Sequence, residues 1–146
     1  MLWFAAIIVA LTCISYVPEL RLRLAGAHHR HLKSGEWVIV DASTNISDHG
    51  FARLTTEIER NGTYDVLSLT GGKITDAGFT PIKKLHMLSW IQISDCSLSD
   101  AALLHLHGLP NLHTVTIVDC PNISPDGVAE LQAALPDCSI TYQNGG

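Results

Sequence analysis

An internal repeat of about 24 residues, a period typical of stacked small units, constrains this chain more than any other feature. Taking Leu88 as the start of a unit, Leu88, Ile91, Ile93, Cys96 and Leu98 follow the pattern L-x-x-L-x-L-x-x-C-x-L. One period later, Leu112, Val115, Ile117 and Cys120 repeat it, with Ile123 one place late. One period earlier, Leu67, Leu69, Gly72 and Ile74 fill the same slots. Val38, Val40, Ser43 and Ile46 do so again across a somewhat longer spacing. Ile140 and Tyr142 read as a closing strand. Self-similarity of this kind marks a stack of units, none of which can bury its apolar face alone.

The second half of each unit repeats too. Ile46-Ser47-Asp48, Ile74-Thr75-Asp76 and Leu98-Ser99-Asp100 are one motif, and Ile123-Ser124-Pro125 is its fourth copy. Gly50, Gly78, Ala102 and Gly127 follow in register, then Phe51, Phe79, Leu103 and Val128. The x-L-x-L-x stretch has period two, which makes it a short strand with one buried face. Ser47, Thr75, Ser99 and Ser124 are helix N-caps, each satisfying a free backbone N–H. The aspartate after the cap favours the positive helix end, and Pro125 suits the first helical position. Pro81 breaks or tightens the helix in which it falls. Asn61-Gly62 ends the helix of the first, longer unit. Strands near 38–40, 67–69, 91–93 and 115–117, each followed by a helical segment, give an α/β chain with parallel strands.

These residues resemble the cysteine-containing class of leucine-rich repeats, whose signature is C-x-x-I-T-D-x-G-L. Cys96-Ser97-Leu98-Ser99-Asp100 and Cys120-Pro121-Asn122-Ile123-Ser124 carry the likeness, which covers about residues 36–142. The resemblance implies a right-handed solenoid of about four repeats, each of about 24–29 residues, with parallel strands on one side and helices on the convex side. Such repeats occur in F-box-type ubiquitin-ligase receptors. No F-box stands in residues 1–35, so that role does not carry over. One hydrophobic segment before four repeats is more similar to short bacterial membrane-anchored leucine-rich-repeat proteins.

Residues 2–17 carry no charge, and Pro18-Glu19 closes the run. This is just under the usual length of a membrane span. No basic residue precedes it, and Arg21 and Arg23 separate it from the small-residue stretch Ala25-Gly26-Ala27, which disfavours cleavage as a signal peptide. The expected layout is therefore a membrane-anchor helix over 1–20, a basic and histidine-rich linker over 21–35, and a repeat domain over 36–146. Export after cleavage is the alternative. Residues 1–35 hold Arg21, Arg23, Arg30 and Lys33 against Glu19, a net of +3, while residues 36–146 have a net of −8. Positive charge after a single span places the repeat domain in the cytoplasm. So acidic a domain is a poor candidate for binding a nucleic-acid backbone, which needs a basic face.

Cys96 and Cys120 occupy one repeat slot, which favours a structural role in which each thiol donates weakly to a neighbouring backbone over a redox pair. His105 and His107 lie two apart on a helix and cannot easily chelate one ion. The sequons at Asn45, Asn61 and Asn122 fall where asparagine suits turns. The sequence has no nucleophile elbow, phosphate loop, H-E-x-x-H or C-x-x-C motif. The chain reads as a non-enzyme with no cofactor and no metal site.

The strand residues that point away from the core are then the candidate partner surface. They are Trp37; Ser68 and Thr70; Trp90, Gln92 and Ser94; and Thr114 and Thr116, with Asp95 and Asp119 beside them. Trp37 and Trp90 share a slot two units apart, and exposed tryptophans suit an interface. The function expected is a membrane-tethered module that binds an unidentified protein through this face. The alternatives are a self-associating structural subunit and a regulatory subunit of a larger complex.

Overall fold

The computed structural model describes residues 27–32, 35–40, 46–62 and 64–145. The expected anchor, residues 1–20, lies outside them. Among the described residues no helix is long and apolar enough to cross a membrane.

The chain is α/β. Among the described residues, six strands form one sheet in sequence order: β1 (His28–Leu32), β2 (Gly35–Val40), β3 (Val66–Thr70), β4 (Trp90–Ser94), β5 (Thr114–Val118) and β6 (Ser139–Gln143). β1 pairs antiparallel with β2, and β2 to β6 run parallel. The segment 21–35, read from sequence as a linker, thus contributes a strand. His-His-Arg-His-Leu has no apolar alternation to announce it, and the edge of β2 supplies the template.

The parallel register matches the sequence repeat slot for slot. Val38, Leu67, Ile91, Val115 and Ile140 pair in one row across the sheet, and Val40, Leu69, Ile93, Ile117 and Tyr142 pair in the next. Val38, Leu67, Leu69, Ile91, Ile93, Val115 and Ile117 are fully buried. Ile140 and Tyr142 are half-buried in β6, the last strand of the sheet among the described residues.

The helical segment differs from unit to unit. The first unit has room for α1 (Asp48–Asn61), which ends at Gly62 in the left-handed region (φ 63°) with its N–H on Ile58 O at 3.1 Å. In the second, Pro81 stands at the start of a 3₁₀ helix over Thr80–Lys84, the tighter coil that a missing N–H permits. The third has only α2 (Asp100–Leu103), and the fourth α3 (Pro125–Ala134). Ser47, Ser99 and Ser124 cap these helices by accepting from Gly50, Ala101 and Gly127 N–H. Thr75 makes the same bond to Gly78 N–H at 3.1 Å. Phe51 and Phe79, equivalent residues of successive units, stack with centroids 5.4 Å apart.

The aspartates after the caps do more than face a helix end. Asp48 Oδ1 accepts from Thr75 N–H at 2.7 Å, and its Oδ2 accepts from the Thr75 hydroxyl at 2.8 Å. Asp76 grips Ser99 in the same way at 2.8 and 2.6 Å, and Asp100 grips Ser124 at 2.8 and 2.7 Å. Each carboxylate therefore fastens one unit to the next. Pro125 stands in the aspartate position of the fourth unit. Asn144 bonds to that unit. Its Oδ1 accepts from Cys120 N–H at 2.8 Å and its Nδ2 donates to Cys120 O at 3.1 Å.

Candidate binding face

The register sets out the outward rows. Trp37, Val66, Trp90, Thr114 and Ser139 pair across the sheet in one row. Ile39, Ser68, Gln92, Thr116 and Thr141 form the next, and Thr70, Ser94, Val118 and Gln143 the third. The two tryptophan positions therefore stand two strands apart, with Val66 between them. The Trp37 side chain lies outside the description.

The open surface is narrower than the sequence reading had it. Ser68 and Ser94 are each only 8% exposed, and Val66 is 2% exposed. Ser94 Oγ donates to Leu69 O at 3.4 Å and lies 3.1 Å from Thr70 Oγ1, so the pair is engaged within the sheet. A short side chain flanked by strands on both sides, about 4.8 Å away, is shaded by its neighbours. Ser68 and Ser94 are therefore corrected from exposed contacts to buried ones, and Thr70 is half-buried and tied to Ser94.

The accessible part begins at Trp90 and Gln92 and runs to the last strand. Trp90, Gln92, Thr114 and Thr116 are half-buried; Ser139, Thr141 and Gln143 are exposed. The residues of β6 were missed as binding candidates. Their signal was present, since the alternation that puts Ile140 and Tyr142 on the core side puts 139, 141 and 143 on the other. The resulting surface offers an aromatic ring at one side and an uncharged strip of hydroxyls and amides beside it. Such groups donate and accept hydrogen bonds and supply no strong nucleophile or acid.

Asp95 and Asp119 have a structural duty that their sequence context did not reveal. Both adopt the left-handed region, with φ 52° and 50°. They occupy the turn slot directly after β4 and β5, as Gly71 (φ 68°) does after β3. The backbone N–H of each continues the sheet: Gly71 to Ser94 O, Asp95 to Val118 O and Asp119 to Gln143 O, at 2.8–3.1 Å. Aspartate tolerates this conformation better than most residues with a Cβ. Both side chains are exposed at one border of the face, and Asp119 also accepts from Gly145 N–H at 2.9 Å.

Cys96 and Cys120 sit one slot further on, both buried. Cys96 Sγ donates to Gly71 O at 3.0 Å, and Cys120 Sγ to Val118 O at 3.3 Å. Burial pushes the Cys96 thiol up to about 12, with the neighbouring Cys120 adding to the effect. Burial raises Cys120 and Cys138 as well. Thiols so held are poor nucleophiles. His105 Nε2 lies 3.2 Å from Asp76 O and 3.3 Å from Thr80 Oγ1, which fixes the ring between units. Among the described residues no group of three His, Cys, Asp or Glu is placed to hold a metal ion.

No model of a known protein family matches the sequence, and a search of curated proteins returned no match.

Proposed function

We propose that this chain is a short leucine-rich-repeat solenoid that binds another protein through the strand face from Trp90 to Thr141, tethered to a membrane by residues 2–17. The observation that carries the reading is the row alignment. Trp90, Thr114 and Ser139 fall in one row, and Gln92, Thr116 and Thr141 in the next. Interface energy concentrates in a few aromatic anchors surrounded by contacts that exclude water. Trp90 beside a strip of short hydroxylated side chains meets that description. The uncharged run 2–17 and the basic residues after it support a tether with the domain on the cytoplasmic side.

Site-specific photo-crosslinking tests the reading. A benzophenone side chain placed at Thr116 in the full chain is expected to capture one discrete protein in native membranes. The same group at Lys83, on the opposite side of the strand layer, is expected to capture none, and Trp90→Ala is expected to abolish the Thr116 product. Capture from Lys83 but not from Thr116 would move the binding surface to the helical side and end the strand-face assignment.

A further inference from the structure

The outward rows of β4, β5 and β6 hold no charged residue. Charge stands at one border of that face. Asp95 and Asp119 follow directly after β4 and β5, and both are exposed. Neighbouring strands run about 4.8 Å apart. Asp95 N–H, bonded to Val118 O at 3.1 Å, keeps the two turns side by side. The fold makes little use of these carboxylates. The sheet bond at this slot comes from the backbone N–H, and Gly71 makes it in the second unit with no side chain. Asp95 accepts no side-chain hydrogen bond from any described residue, and Asp119 accepts one, from Gly145 N–H. Among the described residues neither has an ion-pair partner.

Charge selects what fits there. Like charges on neighbouring strands repel. Residues 85–146 hold six acidic residues and no Lys or Arg, so this half of the chain brings no fixed cation of its own to the pair. An anionic lipid surface or a nucleic-acid backbone is repelled. A positive group arriving between the carboxylates is attracted to both. A guanidinium, with five N–H donors in one plane, can serve two carboxylates at once. Trp90 precedes Asp95 by five residues, about 17 Å along an extended chain. The face thus sets an aromatic ring and a paired negative charge at a fixed separation, with hydroxyls and amides between them.

We propose that the partner of the strand face is a protein segment lying along β4 and β5, with an apolar or aromatic side chain on Trp90 and an arginine between Asp95 and Asp119. The proposal rests on the strand-face reading above and adds the partner's chemistry to it. Paired charges fix orientation and register, so the arginine sets which way the segment runs.

Titration calorimetry of defined peptides into the full chain in zwitterionic detergent tests it. The probe Arg-Arg-Ser-Gly-Ser-Gly-Phe sets a cation and an aromatic ring five extended residues apart. Glu-Glu-Ser-Gly-Ser-Gly-Phe reverses the charge, and Ser-Gly-Arg-Arg-Phe-Ser-Gly keeps the composition but brings the groups together. The first is expected to bind at least tenfold more tightly than either of the others. At about 1 M salt, where the screening length is about 3 Å, most of that advantage should vanish. The double variant Asp95→Asn with Asp119→Asn removes both charges and keeps a residue type that tolerates the left-handed region. It is expected to bind the first probe at least fivefold more weakly, and so is Trp90→Ala. Circular dichroism checks that both variants fold. If the double variant binds like the parent while Trp90→Ala does not, the strand face stands and the arginine assignment falls. If Trp90→Ala binds like the parent, the probe docks away from the strand face and both readings fall. Two further results would overturn the proposal: an acidic or rearranged probe that binds as tightly as the first, or a first probe that does not bind at millimolar concentration.

Discussion

Asp100 and Ser124, residues of successive units, are joined by a two-point clamp. One carboxylate oxygen accepts the Ser124 N–H at 2.8 Å and the other accepts its hydroxyl at 2.7 Å. The same hydroxyl oxygen accepts from Gly127 N–H at 3.0 Å, so the clamp and the helix cap share one atom. Hydrogen bonds to a charged group contribute about 1.5–3 kcal/mol each. Asp100→Ala is expected to destabilise the chain by about 2–3 kcal/mol in urea unfolding. The double variant with Ser124→Ala should cost less than the sum of the two single changes, since both remove the same contact.

Gly127 leaves room for that clamp. A Cβ built there would come within 2.3 Å of the Asp100 carboxylate, and one at Gly78 within 1.9 Å of Asp48 Oδ1. Ala102 holds the equivalent slot of the third unit and is fully buried. Gly127→Ala is expected to cost about 1–3 kcal/mol, the range for forcing extra volume into a packed site. Most of that cost should vanish in an Asp100→Ala background. Gly108, with nothing within 4 Å of an added Cβ, is the control, and Gly108→Ala should change stability little. Urea midpoints for these variants decide the matter.

Asp95 lies at φ 52°, where a residue with a Cβ carries strain. Asp95→Gly is expected to leave stability unchanged or raise it slightly. Asp95→Val should lower it by about 1–2 kcal/mol, the penalty of the left-handed region for an ordinary residue. If Asp95 also meets a basic partner, Asp95→Gly will weaken binding without weakening the fold. Thermal melts and binding titrations on the same two variants separate the two roles.

Cys96 supplies a pH signature. Its thiol is raised from 9.0 to about 12 in the folded chain, chiefly by burial. Between those values the unfolded chain has lost a proton that the folded chain keeps. The thiol's contribution to stability is therefore fully present below pH 9 and is lost as pH rises towards 12. Urea midpoints at about pH 8 and about pH 10.5 should fall further for the parent chain than for Cys96→Ala. Equal falls would mean that Cys96 is not responsible.

Much of this fold was legible in the sequence because stacking equivalent slots imposes a period on the chain. The period-two runs located β3, β4 and β5, and the repeat spacings set which residues pair across them. Ser and Thr before each helical turn announced the caps, and Pro81 the tightened coil. What the sequence alone did not decide depends on residues brought together from one unit away. The aspartates of the cap motif read as local helix charges, yet their carboxylates act on the next unit. Asp95 and Asp119 read as surface charge until the turn placed them in a left-handed conformation. Ser68 and Ser94 belong to the outward rows by periodicity, but flanking strands bury them, and strand alternation gives direction without giving depth. β1 has no apolar pattern of its own and exists as a strand because β2 offers it an edge. Periodicity reports which way a side chain points; only packing decides what covers it and what its polar atoms reach.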